Sequence, residues 1–532
     1  MGVVQSVRTL LAELRSVYDR YNRLKARIDA DPGIPVSNPT RSFWMHPLVT
    51  LPAPTDELPQ HADVVIIGSG ITAASIARTL LAESPDLTVV VLDARDACGG
   101  ATGRNGGHMK PYLYEEYGII KKKFGTEIAQ KTIRFRQMHL PETIKVAEEE
   151  GVLESCGARE VESLDVHYHA DVFEEYKQRF LEWRQDSPKE SARFEIYEAE
   201  EARSKFHLAD HCQGAIVGPA GAIHPYRLIT AIWKRLTAEH PDNFFLFTHT
   251  PVNAVQAASK FNGLYTVQTP RGVIVTPHVV HATNAHTSHL LPRMRGKIIP
   301  TRATCTAQRP GQSSSPSTLD GGRSWLLYHK RGYDYLTQLP DSRELVLGGG
   351  FMRGEDDEGL GDIGLADDSA YDPMVVAYLG GALPAWFGER NWGAEAADSD
   401  DGSSGDDGWN AGRLKAAWCG ILSISADGHP WVGRVPEKIA QRPSPTPTAK
   451  WSTRTAAPGE WISAGYSGDG MAAALLSGRA VAYMILDRED EFKVKDWLPE
   501  PLLITPKRWA KAKVEDRLSE AWAHRGQGNA KN

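Results

Sequence analysis

Hydrophobic positions along the chain change period several times, and each change marks a part of the molecule. Over residues 1–30, Val3, Val7, Leu10, Leu14, Val17, Tyr21, Leu24 and Ile28 recur at alternating steps of four and three, with Arg, Lys, Glu and Asp between them. That spacing predicts one amphipathic helix, suited either to a coiled-coil seam or to an arm folded on its own body. Residues 32–59 are Pro-rich and read as an extended linker. Next comes a continuous apolar run at 62–67, a Gly68-Ser69-Gly70 turn, a helical stretch, and a second apolar run at 88–92 that ends on Asp93. Strand, turn, helix and strand in that order make a βαβ unit, so the chain is expected to be α/β.

Downstream, 115–150 and 170–205 have charged helical patterns, with a short strand-like stretch at 163–168 between them. Residues 214–236 predict a strand, a turn at Pro219-Ala220-Gly221 and a helix starting near Pro225. Strands are expected at 244–247, 265–267, 273–275 and 279–285, and strands dominate 298–385, including 333–337 and 345–350. The stretches 309–323, 394–408 and 436–459 are rich in Gly, Ser, Pro or acids and are expected as disordered surface insertions. A final strand-turn-helix spans 461–471 and continues into an alanine-rich helix to about Leu486; the tail beyond 505 is basic, polar and expected to be loosely held.

The first turn has a mechanical reading. Gly68 permits a tight turn, Gly70 lets the backbone approach a pyrophosphate, and the small Ala73 allows helix and strand to pack closely. Ile71 and Thr72 open the helix, whose free N–H groups would face phosphate. Asp93, followed by Ala94 and Arg95, stands where a carboxylate can accept ribose hydroxyls. Two later Gly-rich stretches, 99–108 and 465–471, exceed what a nicotinamide site needs. A flavin site does need such returns of the chain, and a helix N-terminus near 470 would favour charge on the reduced ring.

Composition narrows the class without changing the fold. The 532 residues carry a net charge of −7, which gives no support to nucleic-acid binding, and no apolar run approaches a membrane span. The five cysteines are scattered, without metal-type pairing, and no signal-peptide pattern is present; free thiols in a reducing, cytoplasmic setting are expected, and no metal site. The opening Met1-Gly2-Val3-Val4-Gln5-Ser6 fits an N-myristoylation pattern, which together with the stripe over 3–28 leaves weak membrane association or self-association open.

The ordered series of Gly68, Gly70 and Ala73, then Asp93, then Thr102-Gly103-Arg104-Asn105-Gly106-Gly107-His108, resembles the FAD-dependent oxidoreductase superfamily named after D-amino-acid oxidase. Gly221-Ala222-Ile223-His224-Pro225, Ala282-Thr283-Asn284-Ala285, Trp418-Cys419-Gly420-Ile421, Asp427-Gly428-His429-Pro430 and the 465–471 turn continue the resemblance over roughly 60–490. The Gly-Arg-Asn-Gly-Gly form is most similar to the branch of γ-glutamylputrescine, sarcosine and glycine oxidases and its fungal relatives. The resemblance implies a Rossmann-like FAD domain and a substrate domain on a mainly antiparallel sheet. It assigns 60–112, 206–297 and 413–490 to the first, 113–205 and 298–390 to the second, 1–59 to helix and linker, and 491–532 to a tail.

Cofactor contacts implied by it are Gly68, Gly70, Ile71, Thr72, Ala73, Asp93, Ala94, Arg95, Thr102, Arg104, Asn105, Gly106 and Gly107. Val252, Ala282, Asn284, Cys419, Gly420, Gly465, Ser467, Gly468, Asp469, Gly470 and Met471 complete the set. A covalent flavin thioether through Cys419 is one implied possibility. His108, Tyr333 and Tyr335 are the candidates to face flavin or substrate, the two tyrosines sharing one side of a strand and Asp334 the other. The implied activity is oxidation of a C–N bond in a small amine or amino acid: hydride passes to flavin N5, an imine forms, and O2 becomes H2O2. Val346 stands near where sarcosine oxidases place an oxygen-activating lysine, with Lys297 as a substitute. That departure keeps open a dehydrogenase using another acceptor; a non-catalytic flavin protein tethered by its N-terminal helix is the third reading. No arginine stands at a motif position that forces a carboxylate clamp, Arg302 and Arg331 being only nearby candidates, which tilts expectation slightly toward an amine lacking a free α-carboxylate.

Overall fold

The computed structural model describes residues 2–52, 57–258, 264–313, 320–330, 332–351, 353–354, 360–393, 409, 412–444 and 454–516, with the first helix's side chains from Thr9 on. Arg331 and the expected insertion 394–408 lie outside them, as do parts of the other two insertions and of the tail.

The apolar runs that opened the pattern are fully buried strands, Val64–Ile67 and Val89–Leu92. Residues buried on both faces have no polar side to alternate with, so they form the middle of a parallel sheet. That sheet has six strands in the order Trp431–Arg434, Gly459–Ala464, His278–His281, Val64–Ile67, Val89–Leu92, Phe244–Phe247; only the first is antiparallel to its neighbour. Ile71–Glu83, Pro225–Glu239 and Ala474–Ile485 supply helices packed with it in one core. A Cβ on Gly478 would stand 2.8 Å from the Thr72 carbonyl oxygen, so this glycine sets the close crossing of the first and last of these helices. A three-stranded antiparallel sheet, Ala254–Ala258, Leu264–Thr269 and Gly272–Thr276, lies to one side.

The second large sheet runs Leu414–Ser425, Ile298–Gln308, Leu345–Gly349, Gly332–Gln338, Arg323–His329, Arg159–His167, Gly214–Ala222, His108–Met109, with Glu195–Glu198 also beside Gly214–Ala222. Its pairs are antiparallel except Arg323–His329 with Arg159–His167. Strands Gly214–Ala222 and Leu414–Ser425 thus belong here, although the segments holding them were expected in the dinucleotide half. The two sheets share the chain, which crosses between them at 222–225 and 425–431.

Several expectations are corrected. No turn forms at Pro219-Ala220-Gly221: the strand runs straight through. Pro219 falls in the interval between the two short strands that pair with residues 214–217 and 221–222, where its missing N–H leaves no ladder bond unmade. Residues Pro373–Phe387 form a helix, not a strand, and lay Val375, Leu379 and Leu383 against the second sheet. In the expected insertion 436–459, Glu437–Ala440 is helical with Ile439 buried, and Arg442 pairs with Glu460 at 2.6 Å. The tail is tied down as far as 516: Arg508 grips Asp427 through two bonds of 2.8 and 2.9 Å, and the Trp509 indole donates to the Arg293 carbonyl.

The first helix, Gly2–Asp29, divides its stripe. Leu24 and Ile28 are buried against Leu291, Met294 and Ile298, while Leu10, Leu14 and Val17 are more than half exposed. No helix among the described residues is long and apolar enough to cross a membrane.

Candidate cofactor and active site

A long cleft opens where the C-terminal ends of Val64–Ile67, Val89–Leu92 and His278–His281 meet strands Ile298–Gln308, Gly332–Gln338 and Leu414–Ser425. In an open α/β sheet this is the crevice outside the carboxyl ends of the strands. Its outer end is built by the first turn. Gly68 has φ +105°, and a Cβ there would stand 2.6 Å from the Ala282 carbonyl oxygen. At Gly70 a Cβ would meet Thr102 Oγ1 at 2.9 Å, the same hydroxyl that accepts the Ile71 amide at 3.0 Å. Gly70 gives the helix that follows no cap of its own and the first turn holds no acid, so beyond the Ile71 amide taken by Thr102 its N-terminus is left to an anion. Asp93 lines the cleft at the end of the second strand; Arg95 donates its amide to Oδ1 at 2.9 Å. A capless helix N-terminus, a side-chain-free approach and a ribose-side acid together fit a dinucleotide diphosphate.

The 99–108 loop is held by aromatic clamps rather than by its own secondary structure. Trp44 donates its indole N–H to the Asn105 carbonyl, and Trp418 donates to that of Arg104 at 2.8 Å. Asn105 organises the loop: Oδ1 accepts the Gly107 amide at 2.7 Å and Nδ2 donates to the Thr102 carbonyl at 3.0 Å. Arg104 lines the cleft, yet its guanidinium is spent on protein, reaching the Gly99 carbonyl at 2.9 Å, Thr40 at 2.7 Å and Cys419 at 3.0 Å. Buried Asp368 sits between it and Arg95, 3.5 Å from Arg104 Nε and 2.9 Å from Arg95 Nη1. Burial lowers the Arg104 pKa to about 10, with Asp368 pulling the other way.

The inner end is lined by His108, Lys110, Tyr112, Cys305, Leu326, Tyr333 and Tyr335. Tyr333 and Tyr335 do share the cleft side of their strand, while Asp334 turns away and accepts the Tyr378 hydroxyl at 2.6 Å. The Tyr335 ring covers Gly106, where a Cβ would stand 2.4 Å from the ring, and its hydroxyl lies 3.4 Å from Cys305 Sγ. The Tyr112 and Tyr333 hydroxyls touch each other. His108 Nε2 and Ser324 Oγ are 2.9 Å apart, and burial, with the nearby Lys110 charge, lowers the imidazole pKa to about 3. Burial opposes the Lys110 charge, but Asp165 at 3.0 Å and Glu115 at 3.4 Å more than restore it and raise its pKa.

Near the C-terminal turn, Gly468, Asp469, Gly470 and Met471 line the cleft. Asn284 ties the ends together, its Oδ1 accepting from Ser423 Oγ at 2.7 Å and from the Gly465 amide at 3.1 Å.

Of the residues named from sequence, Ile71, Thr72, Ala94, Val252, Ala282 and Gly420 also line the cleft. Ala73, Gly107, Cys419, Gly465 and Ser467 do not. Ala73 faces the helix–sheet core. Gly107 is used for its φ of +67° and its carbonyl, which accepts the Ile223 amide at 3.0 Å; Gly465, at φ +85°, leans on Trp431 and Ile298. Ser467 Oγ accepts the Ser425 amide at 3.0 Å. Cys419 is the main correction. Its strand neighbour Gly420 lines the cleft, so the Cys419 sulfur points the opposite way, 3.4 and 3.3 Å from the Asp368 and Ala370 carbonyl oxygens. A thiol facing away from the cleft cannot bridge to its contents.

Sequence reasoning missed Lys110, Tyr112 and Cys305, and the linker residues Gly33, Ile34 and Pro35, all of which line the cleft. The first two had a usable signal: His108, Lys110 and Tyr112 alternate and so share one side of an extended segment. Lys297 and Arg302, named as candidates, are elsewhere. Lys297 Nζ donates to the Ala512 carbonyl, and Arg302 Nε to Asp362 Oδ1 at 2.7 Å.

Comparison with known proteins agrees with this geometry. The family described as FAD dependent oxidoreductase (DAO) matches residues 63–484. A probable oxidoreductase OrdL of Haemophilus influenzae is 23% identical over 452 residues, 83% of this chain and 87% of its own. Among solved structures, L-proline dehydrogenase from P. horikoshii superposes with a TM-score of 0.57 at 19% identity, over 81% of this chain and 96% of that one. Glycine oxidase from Geobacillus kaustophilus gives 0.57 at 17% identity, over 84% and 99%. With its cleft built for a dinucleotide and the family match spanning both sheets, the chain belongs to the FAD dependent oxidoreductases of the DAO family.

Proposed function

We propose that the protein oxidises a C–N bond in an amine or amino acid, passing the electrons through FAD to O2. The inner end of the cleft carries this reading: a desolvated wall of Tyr112, Tyr333, Tyr335, Cys305 and Leu326 beside a histidine held neutral. FAD, when bound, supplies the hydride acceptor. The chain supplies position and dryness. An amine must lose its proton before its α-carbon can yield a hydride, and an apolar wall disfavours the ammonium form. His108, uncharged at neutral pH, neither repels nor attracts it. Among the described residues, the lysine lining this end is Lys110, which keeps its charge on Asp165 and Glu115.

An amine without a free α-carboxylate is favoured. Among the described residues, which do not include Arg331, the arginines that line the cleft, Arg95 and Arg104, are both paired with Asp368, and Arg302 is paired with Asp362. The names of the solved relatives, L-proline dehydrogenase and glycine oxidase, are those of enzymes acting on amino acids, consistent with C–N chemistry on this fold. The test is an anaerobic screen of amines and amino acids for bleaching of the flavin's visible absorbance; a panel that leaves the spectrum unchanged would end the proposal.

A second reading changes only the electron acceptor. Val346 is a core residue and Lys297 is directed to Ala512, so neither places an ammonium beside the cleft. The ammonium that does line the cleft, Lys110, is held by Asp165 and Glu115, and this arrangement supports a dehydrogenase handing electrons to something other than O2. Stopped-flow mixing of reduced protein with aerated buffer separates the two by the rate at which the flavin recolours.

A further inference from the structure

Behind the Tyr112–Tyr333 hydroxyl contact lies a second cavity of about 280 Å³. It shares Tyr112, Tyr333, Tyr466 and Asp469 with the cleft, so the two spaces meet at the tyrosine pair. The outer end of the cleft, with Gly33, Pro35, His286 and His289, is where the Asp93 side would place the adenosine half of the dinucleotide. A bound cofactor therefore stops that approach. Among the described residues, the second cavity is the space left adjoining the inner end.

Charge decides what this space accepts. Among the described residues, its two arginines are already engaged. Arg136 donates to Glu116 Oε2 at 2.7 Å and to the Tyr112 carbonyl; Arg179 donates to Glu175 Oε1 at 2.5 Å and to the Glu115 carbonyl at 2.9 Å. Asp469 differs. Its Oδ2 is buried and accepts no hydrogen bond, with Arg136 Nε 3.9 Å away. A buried carboxylate oxygen without a donor is unfavourable, and a cation arriving there removes the penalty. A carboxylate arriving there would instead meet Asp469 and Glu116, with both guanidiniums occupied.

We propose that the second cavity is a distal substrate subsite: the substrate threads between Tyr112 and Tyr333, its reacting amine enters the inner end, and a second cationic nitrogen pairs with Asp469. The substrate class is then an amine bearing another basic nitrogen several bonds from the oxidised one. This assignment rests on the reading of the cleft as an amine-oxidising site. The tyrosine hydroxyls have to part for passage, so the contact between them acts as the gate of the subsite.

The holoenzyme tests this by anaerobic titration of the flavin spectrum with three probes of equal carbon number: a linear monoamine, the α,ω-diamine and the ω-amino acid. The diamine is expected to half-saturate at a concentration at least about tenfold lower than the monoamine, and the ω-amino acid to be the weakest. Asp469→Asn should shrink the diamine's advantage to within about threefold. Glu116→Gln, outside the 465–471 turn, keeps the test alive should Asp469→Asn lose flavin: freed from Glu116, Arg136 turns to Asp469 and the diamine's advantage again falls. Equal half-saturation by diamine and monoamine, or an advantage that survives in both variants, overturns the subsite and leaves amine oxidation standing. A spectrum that no amine or amino acid bleaches overturns both.

Discussion

Ser69 and Asp93 are joined twice: the Ser69 amide, at 2.9 Å, and the Ser69 hydroxyl both donate to Asp93 Oδ2. The same hydroxyl oxygen accepts the Cys98 amide at 2.8 Å, so one serine links the phosphate-side turn, the ribose-side acid and the start of the 99–108 loop. Burial pushes the Asp93 carboxyl above its usual pKa, and these bonds hold it back. The second strand alone would leave this acid free to rotate. Ser69 on one oxygen and the Arg95 amide on the other fix it in the cleft wall.

Removing the acid should therefore cost more than removing its holder. Asp93→Ala is expected to lose bound FAD on dialysis, and Ser69→Ala to weaken FAD by roughly 1–2 kcal/mol, about the worth of a hydrogen bond to a charged group. Gly68→Ala should lose FAD as well, since its Cβ would strike the Ala282 carbonyl at a φ that disfavours side chains. The ratio of flavin to protein absorbance after exhaustive dialysis reads all three. Full flavin content in Asp93→Ala would break the assignment of this end of the cleft.

The direction of the Cys419 sulfur makes a second expectation. Acid precipitation should release all the flavin into the supernatant, and Cys419→Ser should keep its flavin content. A pellet that stays yellow in the wild type and turns colourless in Cys419→Ser would show that the thiol does reach the cofactor.

Asp368 neutralises two buried arginines at once. Its removal leaves Arg95 and Arg104 facing each other in the core of the cleft wall, and an uncompensated buried charge typically costs about 3–5 kcal/mol. Asp368→Ala is expected to lower the thermal midpoint by many degrees. Arg104→Met in the same background should recover part of the loss, because one of the opposed charges is then gone. Equal midpoints for Asp368→Ala and wild type would show the cluster to be solvated rather than buried.

Acid should destabilise the protein well above the carboxylate range. Burial lowers the pKa of His108, His167, His224 and His278 to about 3, and of His139, His286 and His429 to about 4. Each is neutral when folded and protonates near pH 6.5 when unfolded, so the unfolded chain binds more protons as pH falls. Their stabilising contribution is complete above pH 6.5 and is lost downward, at up to about 1.4 kcal/mol per pH unit for each histidine. Asp469 and Asp165, raised by burial to about 7 and 6, work in the opposite sense, since their contribution fades as pH rises. The histidines outnumber them. Thermal midpoints should drop steeply from pH 7 to pH 5, and His278→Asn, which deletes one buried imidazole, should flatten the slope; a flat profile in the wild type would contradict it.

How much of this was legible in the chain depends on whether the signal was local. Val64–Ile67 and Val89–Leu92 are continuous apolar runs bounded by Gly and Asp, and read directly as central parallel strands. The alternation of Tyr333 and Tyr335 with Asp334 was equally readable, because a strand's period is 2. Cys419 shows the limit of that rule: one residue of uncertainty in register reverses the side a residue faces. Pro373–Phe387 is apolar on nearly every side, so it offered no helical period to detect. Gly33, Ile34 and Pro35 line the cleft only because the first helix returns the linker to it, and Asp368 meets Arg95 and Arg104 across more than 260 positions of chain. Contacts of that kind have no signature in spacing.

The first helix puts a local signal and a tertiary outcome into conflict, and this yields the last prediction. Its stripe is uniform at steps of four and three, yet among the described side chains Leu10, Leu14 and Val17 are exposed and the end bearing Leu24 and Ile28 is buried. That end is also held by Arg27, which donates to the Ile363 carbonyl at 3.1 Å and the Leu360 carbonyl at 2.9 Å. Leu24→Ala leaves a void among Leu291, Met294 and Ile298 and is expected to cost about 2–4 kcal/mol, whereas Leu14→Ala, more than half exposed, should change stability by less than about 0.5 kcal/mol. Deleting residues 2–18 should leave flavin content and thermal midpoint close to wild type, while deleting residues 2–29 should lower both, because Asp31 would lose the anchored helix behind it while still pairing with Arg295 at 2.6 Å. If the shorter deletion alone lowered the midpoint by many degrees, the exposed half would have to be covered in the protein as it exists in solution, and its heptad spacing would then be read as a seam and not as an arm.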